Sequence, residues 1–190
     1  YEADAPYFSG LGDAILLAKK RAENDDCLIF LSDRLPMEEY SQILLNFHQN
    51  ICDGIMNVQQ VINPQFYGVI ELDDNGFVTN IVEKPVKPKS NYAVSGAYLF
   101  GLNMSPRLFE LLEAQSKIPL ENGQEHHLSP IIQQLIEEGF KLKINEMKRE
   151  ILDFGRPDTL IAGNRLLLAE TKIDDPTYEN LIQLGDVVDS

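Results

Sequence analysis

The sequence is poor in cysteine and in positive charge, and each shortage narrows what the protein can be. Cys27 and Cys52 are the two cysteines of the 190 residues, with no CxxC pair and no histidine at zinc spacing. So few thiols do not make a disulfide framework, and the pattern fits a reducing cytoplasm. Sixteen basic residues against thirty acidic ones leave a net charge of −14. Nucleic acids and anionic membrane surfaces repel such a chain, so neither is an expected partner. Small phosphorylated ligands stay open, because a few local donors or a divalent cation offset their charge. No apolar run approaches the roughly 18 residues of a spanning helix. No signal peptide, internal repeat or low-complexity linker is visible either. The chain starts at Tyr1 rather than at methionine, so a fragment of a longer protein is expected.

What is there reads as a globular α/β domain, with 44% hydrophobic and 24% charged residues. Short apolar runs alternate with helical periods. Leu11, Ile15, Ala18 and Ala22 recur at helical spacing, and Cys27 to Leu31 is a buried-strand run. Pro36 suits the first turn of a helix whose inner face would be Met37, Tyr40, Leu44 and Phe47. Strands are expected at 66–72 and 77–82 around an Asp73-Asp-Asn-Gly76 turn, and again at 93–100. Ser105-Pro106 and Ser129-Pro130 each look like an N-cap followed by proline, with Gly139 ending the second helix. Short strands at 142–144 and 150–152 and a helix opened by Pro157, with Leu160, Leu167 and Leu168 to pack, complete the pattern. The acidic tail from Thr171 loses periodicity and reads as a linker or a short helix around Tyr178 to Leu184.

Several residues stand where chemistry is done. Asp33 and Asp153 each follow an apolar strand, where open α/β sheets collect ligands. A carboxylate there can hold Mg²⁺, a hard cation that prefers oxygen, although a turn aspartate is the commoner occupant. Glu83 and Lys84 are adjacent on a strand and would point to opposite faces unless the chain bends before Pro85. If it bends, Lys84 could meet a phosphate while Glu83 accepts sugar hydroxyls. Gly68 and Gly96 interrupt strands, as glycine does where a ligand or another backbone comes close. Gly10 and Gly12 precede a helix and could offer amides to a base or phosphate. Glu125-His126-His127 lacks the partners of a zinc site and reads as a solvated loop or helix start.

The order of these signals carries more than any one of them. Gly10-Leu-Gly-Asp-Ala-Ile15, Phe30-Leu-Ser-Asp33, Tyr67-Gly-Val69, Asp74-Asn-Gly76, Glu83-Lys-Pro85, Ser90 to Tyr98 and Leu152-Asp-Phe-Gly-Arg-Pro157 follow one another. That succession resembles the sugar-1-phosphate nucleotidyltransferases, particularly the glucose-1-phosphate thymidylyltransferase and uridylyltransferase branch, over about Gly10 to Glu170. The resemblance implies a Rossmann-like α/β/α sandwich with a mixed, mainly parallel central sheet. It implies an enzyme that joins a nucleoside triphosphate, dTTP or UTP, to a sugar 1-phosphate, by default glucose 1-phosphate, with Mg²⁺ and release of pyrophosphate. By the same resemblance Asp33 and Asp153 match the two metal-binding aspartates. Glu83 and Lys84 match the residues that hold the sugar and its phosphate, Tyr67, Gly68 and Gly96 line the sugar pocket, and Gly10 lies against the base.

The chain also departs from the family. The glycine-rich Gly-x-Gly-Thr-Arg-Leu loop that holds the triphosphate is not found, so no catalytic residue of that loop is assigned. Ser32 precedes Asp33 where glycine is usual, and residues 3–9 offer no base-reading glutamine. The expected organisation is a nucleotidyltransferase domain over 1–170, N-terminally incomplete, with 171–190 a tail leading to a further domain. The partners expected are the nucleoside triphosphate and the sugar 1-phosphate, and the resemblance leaves room for a homo-oligomer. Two alternatives use related architecture. A regulatory paralogue would bind sugar nucleotides without turnover, and a glycosyltransferase would lack the Glu83-Lys-Pro85 and Gly96 segment.

Overall fold

The structure, a computed structural model, describes residues 10–37, 41–121, 124–149, 151–155 and 157–170. Tyr40, Glu150, Arg156 and the whole tail from Thr171 therefore lie outside the described residues. The chain divides into two compact units, Tyr1–Ile151 and Leu152–Ser190.

The first unit is organised around β6 (Tyr92–Phe100), a nine-residue strand. One edge of β6 pairs along its length with β3 (Gly54–Gln60). The other edge takes β4 (Gly68–Leu72) near Ala93, then β1 (Cys27–Phe30) opposite Ala97 to Phe100. Beyond β4 lies β5 (Val78–Glu83), and beyond β3 lies β7 (Leu142–Glu146). The sheet is mixed, as expected, but the balance is the reverse of the mainly parallel one. The β3–β7 pair is parallel and the remaining described pairs of this sheet are antiparallel. The reason is local. From β3 to β6 the chain has no helical crossover, only a 3-10 turn at Pro64–Phe66, and strands joined without crossovers pair antiparallel.

Period-2 alternation gives each face of the sheet its own core. Tyr98 and Phe100 point to a layer made by α1 (Leu11–Leu16), α2 (Lys19–Ala22), α4 (Ser105–Ser116) and α5 (Ser129–Glu137). Ala97 and Leu99 point the other way, to α3 (Ser41–Gln49). The result is helix, sheet, helix. Leu108, Leu112, Ile132 and Leu135 are almost fully buried against Met56 and Ile70. Each such side chain contributes about 1.5–3 kcal/mol of burial. At the turn between β4 and β5, Asp73 Oδ1 accepts the amides of Asn75 and Phe77 at 2.9 and 2.8 Å. Gly76 there has φ 75°, a left-handed value that glycine adopts without cost.

Three local readings change. Pro36 ends a short strand, β2 (Arg34–Pro36), instead of opening a helix. The inner face of α3 is set by Ile43, which is fully buried, while Leu44 is 40% exposed. Ser105 and Ser129 do not act as N-caps: each is already helical, with proline following it. The Ser105 hydroxyl donates to the carbonyls of Phe100 and Gly101, and that of Ser129 to Glu83. Gly139 does end α5, at φ 99°.

The second unit holds the end of β8 (Ile151–Asp153) and α6 (Pro157–Glu170). Gly163 lets the helix close on Phe154, whose ring carbons would lie 2.4 and 2.9 Å from any Cβ added there. Leu160 and Leu168 stay 45% and 47% exposed instead of packing. Among the described residues no helix is long and apolar enough to cross a membrane.

Candidate functional site

The β4–β5 register sets Gly68 directly opposite Glu83. The amide of Lys84 then donates to the Tyr67 carbonyl at 3.0 Å, one step past the end of β5. Lys84 has φ 43°, the one left-handed value among the described non-glycine residues. Such a conformation costs about 1–3 kcal/mol and persists where the surroundings impose it. Its consequence is directional. A flat strand would send Glu83 and Lys84 to opposite faces, whereas here both line the same cavity of about 290 Å³.

Gly68 is needed because the Glu83 carboxylate is held close beside it. Glu83 Oε2 accepts the Ser129 hydroxyl at 2.7 Å. A Cβ on residue 68 would stand 3.2 Å from both of those oxygens. Lys84 Nζ lies 4.0 Å from Glu83 Oε1, at the limit of an ion pair, with the lysine exposed and the glutamate half-buried. Its ammonium is therefore available to a ligand in the cavity.

Gly96 faces the same cavity from β6. The β3–β6 register slips between Met56 and Val58, across from the stretch Val94 to Tyr98 that contains Gly96. Bulges of this kind re-aim backbone beside sites. Gly96 has φ 85°, and a Cβ there would meet Arg34 Cγ and Cβ at 2.8 and 2.9 Å. Arg34 in turn sets its guanidinium 5.5 Å from the centre of the Tyr67 ring, within cation–π range. Asp33, exposed after β1, lines this cavity beside Arg34. Tyr98 completes that wall. Burial first, and then the nearby Glu83 charge, push its phenol well above the usual range, with Arg34 opposing, so it stays neutral.

A second wall is the segment 125–129, contributing Glu125, His127, Leu128 and Ser129. An adjoining cavity of about 440 Å³ shares Lys84, Glu125 and His127. The histidine pair leads into α5, the helix start of the two readings, but it is not solvated. His126 is buried, and His127 faces the cavities.

Six of the eight sequence candidates, Asp33, Tyr67, Gly68, Glu83, Lys84 and Gly96, line one cavity. Gly10 does not. At φ 100° it packs against the His126 backbone, where a Cβ would lie 2.8 Å from both N and O, and its neighbour Leu11 lines the cavity instead. Asp153 belongs to the second unit, where its Oδ1 accepts the Gly155 amide at 2.8 Å. Among the described residues no group of three or more His, Cys, Asp or Glu gathers as a ready metal cage. A larger concavity of about 510 Å³, lined by α1, α2 and β1, holds none of the eight candidates. Arg34, Tyr98, Glu125, His127 and Ser129 were not singled out as site residues from sequence.

The chain also matches known proteins over most of its length. The family model described as nucleotidyl transferase matches residues 2–170. The chain is 29% identical over 184 residues to the low-salt glycan biosynthesis nucleotidyltransferase Agl11 of Haloferax volcanii, covering 93% of this chain and 50% of that protein. It is 29% identical over 173 residues to a glucose-1-phosphate thymidylyltransferase of Streptomyces griseus, covering 91% of this chain and 46% of that one. The chain thus spans about half the length of the curated relatives it matches. Among solved structures, a UTP-bound UGPase from Acinetobacter baumannii superposes with a TM-score of 0.70 at 21% identity, over 92% of this chain and 61% of that one. That likeness carries the fold.

Proposed function

The chain belongs to the nucleotidyl transferase family, and from that premise we propose that its 290 Å³ cavity binds a sugar 1-phosphate for coupling to a nucleoside triphosphate. The observation that carries this reading is the convergence of Gly68, Glu83, Lys84 and Gly96 on one cavity. Two glycines open room for a ligand ring, a carboxylate accepts hydroxyls, and an ammonium faces a phosphate. Glucose 1-phosphate is the proposed sugar, and dTTP or UTP the proposed nucleotide. The thymidylyltransferase relative and the UTP-bound neighbour support that choice.

In the proposed reaction an oxygen of the sugar phosphate attacks the α-phosphorus of the triphosphate. One P–O bond forms as the bond to pyrophosphate breaks, so the protein's task is alignment and charge neutralisation. Glu83 orients the sugar, itself fixed by the Ser129 hydroxyl. Lys84 holds the phosphate of the incoming sugar. Asp33, in this cavity, and Asp153, in the second unit, are each proposed as a Mg²⁺ carboxylate from the resemblance. The oxygen donors suit that hard ion, which when bound neutralises phosphate charge. The function proposed for these residues is to hold the sugar end and the metal.

Steady-state kinetics of pyrophosphate release by the full-length protein test the reading. Lys84→Ala should raise the KM for glucose 1-phosphate by about 10–100-fold and the KM for the triphosphate far less. In the same assay Asp33→Asn and Asp153→Asn should each abolish Mg²⁺-dependent turnover with the fold retained. Equal KM changes for the two substrates would remove Lys84 from its role. Undiminished turnover in either aspartate variant would remove the metal assignment.

A further inference from the structure

Asp13 and His126 form a buried side-chain pair beside the cavity, 3% and 6% exposed. His126 Nδ1 lies 2.9 Å from both Asp13 carboxylate oxygens, and Nε2 lies 3.1 Å from the Ile118 carbonyl. Each ring nitrogen thus has a partner, a carboxylate for one and a main-chain carbonyl for the other. The backbone is tied as well, the Gly12 amide donating to the His126 carbonyl at 2.9 Å. Gln115 Nε2 donates to the His127 carbonyl at 3.0 Å. The segment is therefore fastened from α1, from the end of α4 and through its own main chain. Its two flanking residues, Glu125 and His127, are the ones that face the cavities.

We propose that the Asp13–His126 pair is a positioning pair, holding Glu125 and His127 in the wall against which a sugar 1-phosphate binds. This rests on the function proposed above for the same cavity. A pair serving stability alone could be placed anywhere in the core, and replacing it with apolar residues often costs nothing. Here it clamps the one residue between two cavity-lining side chains, and Gly10 and Gly12 have no side chains that would block it. His127 is then a binding residue for the sugar phosphate, and Asp13 and His126 act through it.

The test is a double-mutant cycle in the full chain, read by isothermal titration with glucose 1-phosphate. Asp13→Asn and His127→Ala should each weaken binding about tenfold. The double variant should be no weaker than either single one, because both remove the same wall. Additive losses would overturn the proposal, since a merely structural pair weakens binding independently of His127. Unchanged affinity in a folded Asp13→Asn protein would overturn it as well. Should Asp13→Asn fail to fold, nitrogen-15 spectra of the wild-type histidine rings carry the test. The His126 and His127 ring signals should move on saturation with glucose 1-phosphate. Rings that the ligand leaves unmoved while it binds would overturn the proposal. Failure of the underlying functional reading looks different: the wild-type protein would then not bind glucose 1-phosphate at all, and both would fall together.

Discussion

The two walls of the cavity are made by different means. One is sheet: the β4–β5 register fixes Gly68 and Glu83, and Gly96, beside the slip in the β3–β6 register, accepts the Leu31 amide at 2.8 Å. The other is a connecting segment between α4 and α5, held by side chains reaching in from elsewhere. In the sheet wall the main chain sets direction, with the Ser129 hydroxyl holding the Glu83 carboxylate in addition. In the segment wall placement depends on a few buried polar contacts, and losing one affects several residues together. The lesson is that the sheet wall should respond to mutation sharply and locally, and the segment wall more softly and cooperatively.

The most damaging single change should be in the sheet wall. Gly96→Ala forces a side chain into a left-handed conformation and against Arg34 and Leu31 at 2.8–3.3 Å. Strain and overpacking together should cost about 2–4 kcal/mol of stability, read by denaturant unfolding, with affinity for glucose 1-phosphate lost. A stable, ligand-binding Gly96→Ala protein would mean that close approach is not what the glycine is for. The smaller change lies on the segment side. Ser129→Ala removes one donor to Glu83 and should weaken glucose 1-phosphate binding by only about 3–10-fold. A loss as complete as that of Gly96→Ala would erase the distinction between the walls.

That same contrast decided what the sequence revealed. The glycines and the Glu83-Lys-Pro85 step stand out because strand interiors tolerate glycine and proline poorly, so their presence marks a constraint. The bend at Lys84 was the condition for its role, and φ 43° meets it. The segment wall carries no such mark. His126 looks like a surface residue because its partner, Asp13, lies 113 positions away in the chain. Ser129 looks like a cap because serine before proline usually is one, yet its hydroxyl turns to Glu83. The parallel balance of the sheet was misjudged for a related reason. Alternating strands and helices identify an α/β chain, but strand neighbours depend on long-range pairing, and β3 to β6 follow one another without a crossover.

The central claim is that a sugar nucleotide places its sugar between these two walls. A crystal structure of the protein soaked with UDP-glucose tests it most directly. The account predicts the hexose against Gly68 and Gly96, its hydroxyls on Glu83 and its phosphate within reach of Lys84. Ordered ligand bound elsewhere, for example in the 510 Å³ concavity lined by α1, α2 and β1, with this cavity holding only water, would contradict it.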